Sequence, residues 1–428
     1  MKEGFGPSIK DIVRGAAVAG AVLYVGGCAK ESTSSHATWE ASKTATSTAP
    51  DYTSLITPIV NTSTPNSEST PTSEIPTVDP TPTDEPYPSK TPELPEDPLI
   101  KERFALPEFI QGFSVLQYGN EVYNGNFSEA SNQWLDRLQK LGVNSASFVF
   151  PIYQDNYRSN SVHPGDGTPT LDNMRRFIRS AKFHGMSVML RPILDEGSIV
   201  ADGRWRGSIE PDNRDAWFES YKSLIVDYAK MAESEYVEVL DIGSELVSLE
   251  GESDKWKDVI KSVREVFKGK ITYSFNHDSF DNSNSTAGSD YIKDLDFIGM
   301  DAYYPLDLGK GASPEQVSAA FQYAFDRMSS LKKTYGVPVL IAEMGTIGHQ
   351  FDRPWAWDGS GNNAQDIKDQ AAYYAGFCMD RDRMKQSLSG VYFWTAYLGE
   401  DPGKIDPNTP SFAPFNKPAE TELDKCYS

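Results

Sequence analysis

The chain has 428 residues, with 61 Asp and Glu against 40 Lys and Arg, a net charge of −21 and three cysteines. This acidic balance argues against a nucleic-acid-binding protein, which needs clustered cations to displace counterions from phosphates. Three cysteines without CxxC or Cys/His spacing build neither a disulfide framework nor a structural zinc site. An apolar share of 39% is thin for a globular chain, so the polar excess must be concentrated somewhere.

It is concentrated at the N-terminus. Lys2, Lys10 and Arg14 precede an apolar stretch from Gly15 to Gly27, the length of an export signal and too short to span a bilayer. The stretch ends in Val25-Gly26-Gly27-Cys28, which resembles the lipobox of bacterial lipoproteins. That resemblance implies lipid attachment at Cys28 and an exported protein held on the extracellular face of the membrane by its lipid alone; a plain secretion signal with an incidental Cys is the alternative. Between Glu31 and Pro98, Ser, Thr and Pro fill 38 of 68 positions, with no Gly. Such a segment buries too little apolar surface to offset its ordering entropy, and its prolines keep it extended. The expected organisation is a signal at 1–28, a disordered spacer at 29–99 and one domain at 100–428.

Beyond Lys101, short β-rich runs alternate with amphipathic helices. Strands are expected at Gly112–Leu116, Ser145–Phe150, Ser187–Arg191, Val237–Ile242, Ile271–Phe275, Asp296–Asp301, Val337–Ala342 and Gly390–Trp394. Helical faces are marked by Trp134/Leu135/Leu138/Leu141, Met174/Phe177/Ile178/Ala181, Trp217/Phe218/Tyr221/Ile225/Tyr228, Trp256/Val259/Ile260/Val263 and Val317/Phe321/Ala324/Phe325/Met328. The last begins with Ser313-Pro314-Glu315-Gln316, a capping box with proline at the first helical position. Ala371, Tyr374, Ala375 and Cys378 mark a further helix. Several strands are continuous apolar runs, as parallel strands covered on both sides require. Eight strand–helix units predict an α/β (β/α)8 TIM barrel. A doubly wound sheet would show a Gly-rich turn after the first strand, where Gln117-Tyr118-Gly119-Asn120 stands instead.

In such a barrel the chemistry sits where strands end. Arg191 and Asp195 follow strand three, Glu245 strand four, Asn276 and His277 strand five, Asp301 and Tyr303 strand six, Glu343 strand seven and Trp394 strand eight. Two glutamates in one mouth suit glycoside hydrolysis. One protonates the leaving oxygen while the other traps the oxocarbenium-like centre, and neighbouring carboxylates push their pKa values apart. Taken singly, Glu245 also reads as a helix N-terminal carboxylate, and Glu343 as an ion-pair partner of Arg191. Arg191 either holds Glu343 ionised or forms a structural ion pair. Asp195 binds a sugar hydroxyl or caps its loop, and Asn276 is a candidate substrate hydrogen-bond donor. Trp205, Trp355, Trp357, Tyr304 and Tyr397 are candidate sugar platforms or loop anchors. Cys378 reads as a small buried apolar residue, with pairing to Cys426 left open.

Several segments together resemble glycoside hydrolase family 113. They are Gly203-Arg204-Trp205-Arg206-Gly207-Ser208-Ile209, Ala216-Trp217-Phe218-Glu219-Ser220-Tyr221, Ile242-Gly243-Ser244-Glu245, Leu295 to Leu306 (LDFIGMDAYYPL), Ala342-Glu343-Met344-Gly345 and Pro354-Trp355. The resemblance implies a retaining endo-β-mannanase in which Glu245 is the acid/base and Glu343 the nucleophile, about 5–5.5 Å apart. It further implies that Tyr303 hydrogen-bonds the nucleophile and that Trp394 floors a sugar subsite. Ile193 stands where the family pattern leads us to expect His, and His277 where it leads us to expect Trp. The expected partner is a neutral polysaccharide or oligosaccharide, with Arg191, Asp195, Asn276, Trp205, Tyr303, Trp357 and Trp394 grouped around it. No metal or cofactor is expected, and the protein is expected to be a monomer. Other β-glycanase activities, on glucan or xylan, and a non-catalytic sugar-binding lipoprotein are the competing readings.

Overall fold

The computed structural model describes residues 104–428 apart from 196, 200–202, 282–285, 287–288, 349–350 and 352–362. Cys28, Trp355, Trp357, the signal and the spacer lie outside the described residues. Eight strands follow one another: β1 (Ile110–Leu116), β2 (Ser145–Ile152), β3 (Ser187–Leu194), β4 (Val239–Ser244), β5 (Lys270–Asn276), β6 (Phe297–Asp301), β7 (Val339–Met344) and β8 (Gly390–Tyr397). All neighbours pair in parallel and β8 returns to β1, so the barrel closes. Its helices are α1 (Phe127–Lys140), α2 (Leu171–Phe183), α3 (Arg214–Ser234), α4 (Ser253–Val266), α5 (Pro314–Tyr335), α6 (Asn363–Cys378), α7 (Arg381–Ser387) and α8 (Pro418–Tyr427). Among the described residues no helix is long and apolar enough to cross a membrane.

Local chemistry sets where the helices start. Asn126, Thr170, Asn213 and Ser313 each accept a hydrogen bond from the backbone N–H three residues on, satisfying a donor that the helix itself leaves unpaired. At Ser313 the box is reciprocal, because the Gln316 side chain accepts from the Ser313 N–H at 2.9 Å. Between helices and barrel lies the main core, in which Trp134, Trp217 and Trp256 are fully buried. Truncating any of these to Ala is expected to cost about 3–5 kcal/mol.

Side-chain alternation stacks the barrel interior in layers. Ile110, Met189, Val239, Phe297, Leu340, Ala342 and Tyr392 form an apolar floor. Leu116, Val149, Ile193, Tyr303, Ile347, Trp394 and Phe412 form an apolar and aromatic layer at the opposite, C-terminal end. On β3 this alternation runs Met189, Arg191, Ile193, so Arg191 falls between the two layers. β3 runs three residues beyond its expected end, through Pro192. The ladder to β4 is confined to Met189 and Leu190, and a strand tolerates a residue without an N–H where pairing has ended.

One irregularity matters for function. Ile341 pairs with Met300 but Glu343 pairs with Asp301, so β7 gains one residue on β6. Strict alternation after Leu340 and Ala342 would turn Glu343 outward. The extra residue re-aims it into the mouth, as bulges do.

At the seam between β1 and β8, the Tyr427 hydroxyl donates to the Gly112 carbonyl at 2.8 Å. Its neighbour Cys426 is joined to Cys378 of α6 by a disulfide, with Cα atoms 5.4 Å apart. Cys378 is therefore a bonded half-cystine and not a free apolar residue. The bridge spans 48 residues, and on the loop-closure argument it stabilises by up to about 4 kcal/mol. Urea unfolding with and without reductant should show a loss of that order, and the Cys378→Ser variant should show the same loss and no further response to reductant.

Candidate active site

The centre of the site is a cation with no exposure. Arg191 lies between the apolar floor and the mouth. Its guanidinium donates to Asp241 Oδ2 of β4 at 3.1 Å, to both oxygens of Asp301 of β6 at 2.7 Å, to Ser244 Oγ at 3.0 Å and to Glu343 Oε2 of β7 at 2.6 Å. Ser244 in turn donates to Asp301 at 3.0 Å, and Ser274 of β5 donates to Asp241. Arg191 was grouped with substrate-facing residues from its place near a strand end; its complete burial makes it a holder of carboxylates.

Burial opposes the charge on this guanidinium, but Asp301, Glu343 and Asp241 outweigh burial and hold it firmly protonated. Three carboxyls around one cation leave negative charge in excess. Burial pushes Asp241 up to about 6, against the attraction of Arg191 and hydrogen bonds from Ser274 and Gly243. Asp301 is pushed well above the usual carboxylate range by burial and by repulsion from Glu343 and Glu245, against the pull of Arg191.

Glu343 has its second oxygen fixed as well, because the Tyr303 hydroxyl donates to Oε1 at 2.5 Å. Burial and the charge of Glu343 push this phenol well above its ordinary range, so Tyr303 keeps its proton for that bond. The same phenol also feels the charge of Glu245, which brings the glutamates of β4 and β7 into one electrostatic neighbourhood. Glu245 is held from two sides. Arg206 Nη1 donates to Oε2 at 3.1 Å and Asn276 Nδ2 donates to Oε1 at 3.2 Å. Its backbone is left-handed, at φ 54°, a conformation that costs a non-glycine residue about 1–2 kcal/mol. The Glu245 N–H donating to the Ser274 carbonyl at 2.8 Å pins it there.

The remaining candidates fall into place around these two. Trp394 is 2% exposed and packs with Tyr303, Ile193, Ile347 and Phe412 in the mouth layer, and its peptide bond to Thr395 is cis. Trp205, half-buried, opens the short 3-10 turn that carries Arg206 to Glu245. Asp195 accepts from the Tyr118 hydroxyl at 3.1 Å and from the Gly197 N–H at 2.8 Å, which caps the loop after β3. Asn276 donates to Glu245 itself. Tyr304 is buried in the main core beside His277, at 5.7 Å between rings, and does not form an open platform. Tyr397 packs, half-buried, against the mouth layer.

Sequence reasoning quoted Arg206 without a role and passed over Asp241. The signal for Asp241 was a lone charge inside an apolar strand, which demands a buried partner; Arg191 on the neighbouring strand is that partner. Among the described residues no group of three or more His, Cys, Asp or Glu is arranged to hold a metal ion.

Two outcomes follow from the buried cation. Arg191→Met leaves three carboxyls without their counter-charge and should lower the unfolding free energy by about 3–5 kcal/mol at pH 7, measured by urea titration. Asp241 has a folded pKa raised above its unfolded value, so the stability tied to its protonation is full below pH 4 and lost as pH rises towards 6. Asp241→Asn should therefore flatten the pH dependence of unfolding across that window.

The fold recurs in known proteins. Among solved structures, the GH113 β-mannanase of Alicyclobacillus acidocaldarius in complex with ManMIm superposes with a TM-score of 0.62 at 20% identity, covering 76% of this chain and 98% of that one. A GH113 β-1,4-mannanase structure gives 0.62 at 24% identity, over 75% of this chain and 99% of that one. A β-glucuronidase from Ruminococcus gnavus in complex with uronic isofagomine gives 0.50 at 13% identity, over 75% and 51%. At these identities the likeness speaks for the barrel alone. No curated protein matches the chain. The family model of Glycoside Hydrolase Family 113 matches residues 116–399. Matched from the last residue of β1 to just beyond β8, the chain belongs to glycoside hydrolase family 113.

Proposed function

We propose that this glycoside hydrolase is a retaining endo-β-1,4-mannanase in which Glu343 is the nucleophile and Glu245 the acid/base. The observation that carries the reading is the different anchoring of the two glutamates. Both oxygens of Glu343 are fixed by Arg191 and Tyr303, which suits an oxygen that must attack one carbon from one direction. Glu245, held by Arg206 and Asn276, has to give up a proton and take it back.

In the first step Glu343 attacks the anomeric carbon while Glu245 protonates the departing glycosidic oxygen. In the second step Glu245 removes a proton from water, which displaces Glu343 from the glycosyl-enzyme. Trp394 and Tyr303 form the aromatic base of the mouth, and half-buried Trp205 on the loop after β3 is a candidate to pack against the C–H face of a sugar. Mannose is favoured over glucose or xylose because the GH113 structures with this fold are β-mannanases. The acidic chain suits a neutral polymer. The same proposal extends to the N-terminus: a lipid on Cys28 and a Ser/Thr/Pro spacer hold the enzyme at the cell surface, acting alone on its polymer. The Cys378–Cys426 disulfide supports export, since such bridges persist in oxidising compartments.

On a panel of soluble mannan, glucan and xylan, mannan should be cut fastest, with internal cleavage seen by product sizing and the β-anomer formed first by NMR. Glu245→Gln should lower kcat on mannan by about 10²–10⁴-fold, and Glu343→Ala should abolish cleavage. Near-normal activity in either variant overturns the assignment. Mannan binding by the unaltered protein without release of reducing ends favours a sugar-capturing lipoprotein.

A further inference from the structure

Five residues beyond Glu245 lies a second buried glutamate that the reaction described above does not use. Glu250 has no exposure. The Thr286 hydroxyl donates to its Oε2 at 2.6 Å, and the Tyr273 hydroxyl of β5 donates to its Oε1 at 3.3 Å. That same Tyr273 oxygen accepts from the backbone N–H of Leu246 at 3.1 Å. β5 therefore grips two successive amides at the end of β4. Ser274 takes the N–H of Glu245 and Tyr273 takes the N–H of Leu246.

The grip falls at the left-handed residue. A backbone held in a sparsely populated conformation persists only where its surroundings over-determine it. The close seat of the Tyr273 ring is built in, because a Cβ added at Gly243 would lie 2.5 Å from that ring. An uncharged side chain could fill the space of Glu250 at far lower desolvation cost. Burial pushes its carboxyl up to about 7, against the hydrogen bonds of Thr286 and Tyr273 and with repulsion from Asp278 adding to the rise. Keeping an acid there points to use more than to packing.

We propose that Glu250, acting through the Tyr273 hydroxyl, is a positioning residue that fixes the backbone at Glu245 and so aims its carboxyl at the leaving oxygen. The inference rests on the reading of Glu245 as the acid/base. Glu250 aligns the tyrosine O–H, the tyrosine oxygen is thereby presented to the Leu246 amide, and the left-handed turn at Glu245 is held from the residue that follows it.

The test uses leaving-group dependence, which reports proton donation and is indifferent to general loss of structure. Tyr273→Phe and Glu250→Gln are compared with the unaltered enzyme on the polymer cut fastest in the panel and on the 2,4-dinitrophenyl β-glycoside of the corresponding disaccharide. Dinitrophenolate departs without a proton. Both variants should lose about 10- to 100-fold in kcat/KM on the polymer and no more than about threefold on the aryl glycoside. Equal losses on the two substrates, or no loss on either, overturn the proposal. Tyr273→Phe keeps the ring that packs against Gly243, so it carries the test should Glu250→Gln fail to fold. Glu245→Gln run in parallel separates the two ideas. If it lacks the split, the acid/base assignment falls; if it shows the split and Tyr273→Phe does not, only the positioning role falls.

Discussion

One guanidinium organises this barrel. Arg191 rises from β3 into a sealed interior and meets a carboxyl from β4, another from β6 and a third from β7. A planar fork with several donors can satisfy partners in different directions at once, which a lysine ammonium on a flexible stem does not do with the same geometry. The cation thus ties strands on opposite sides of the barrel to a single point. The desolvation it requires is offset by its carboxyl neighbours, and burial in turn raises the pKa values of Asp241 and Asp301. Arg191 reaches Glu343 from the same point at which it holds those two aspartates. The anchoring of Glu343 is therefore set one layer below the mouth.

Much of the fold was legible because its rules are local. The apolar runs of β3, β4, β6 and β7 announced strands covered on both sides, and the Ser313 box announced a helix start that the structure shows in full. Strand ends then located the glutamates without a template. What escaped was whatever depends on register between strands. Nothing in the run Val339 to Met344 says that an extra residue on β7 turns Glu343 inward, since period two alone aims it at the helices. Arg206 was visible inside a recognisable segment, but its partner lies 39 residues away across a loop and a helix. The run of β3 through Pro192 and the pairing of Cys378 are similar: each depends on a neighbour that only the closed barrel supplies.

The two glutamates also differ in what their surroundings ask of them. Glu343 sits just past the extra residue of β7, and its precision comes from side chains gripping its oxygens. Glu245 sits on a backbone that most residues avoid, and part of its precision comes from amides gripped by β5. A site divided in this way separates two sources of order, one electrostatic and one conformational. Substitutions among the buried charges and substitutions around the β4–β5 junction should then disturb different halves of the chemistry.

The bridge between α6 and α8 changes the chemical accounting of the whole chain. The sequence holds three cysteines, and Cys378 and Cys426 are consumed by each other. The thiol left over is that of Cys28. On the proposed lipidation of Cys28, a native thiol titration of the full-length chain finds no equivalent; with Cys28 present and unmodified it finds one.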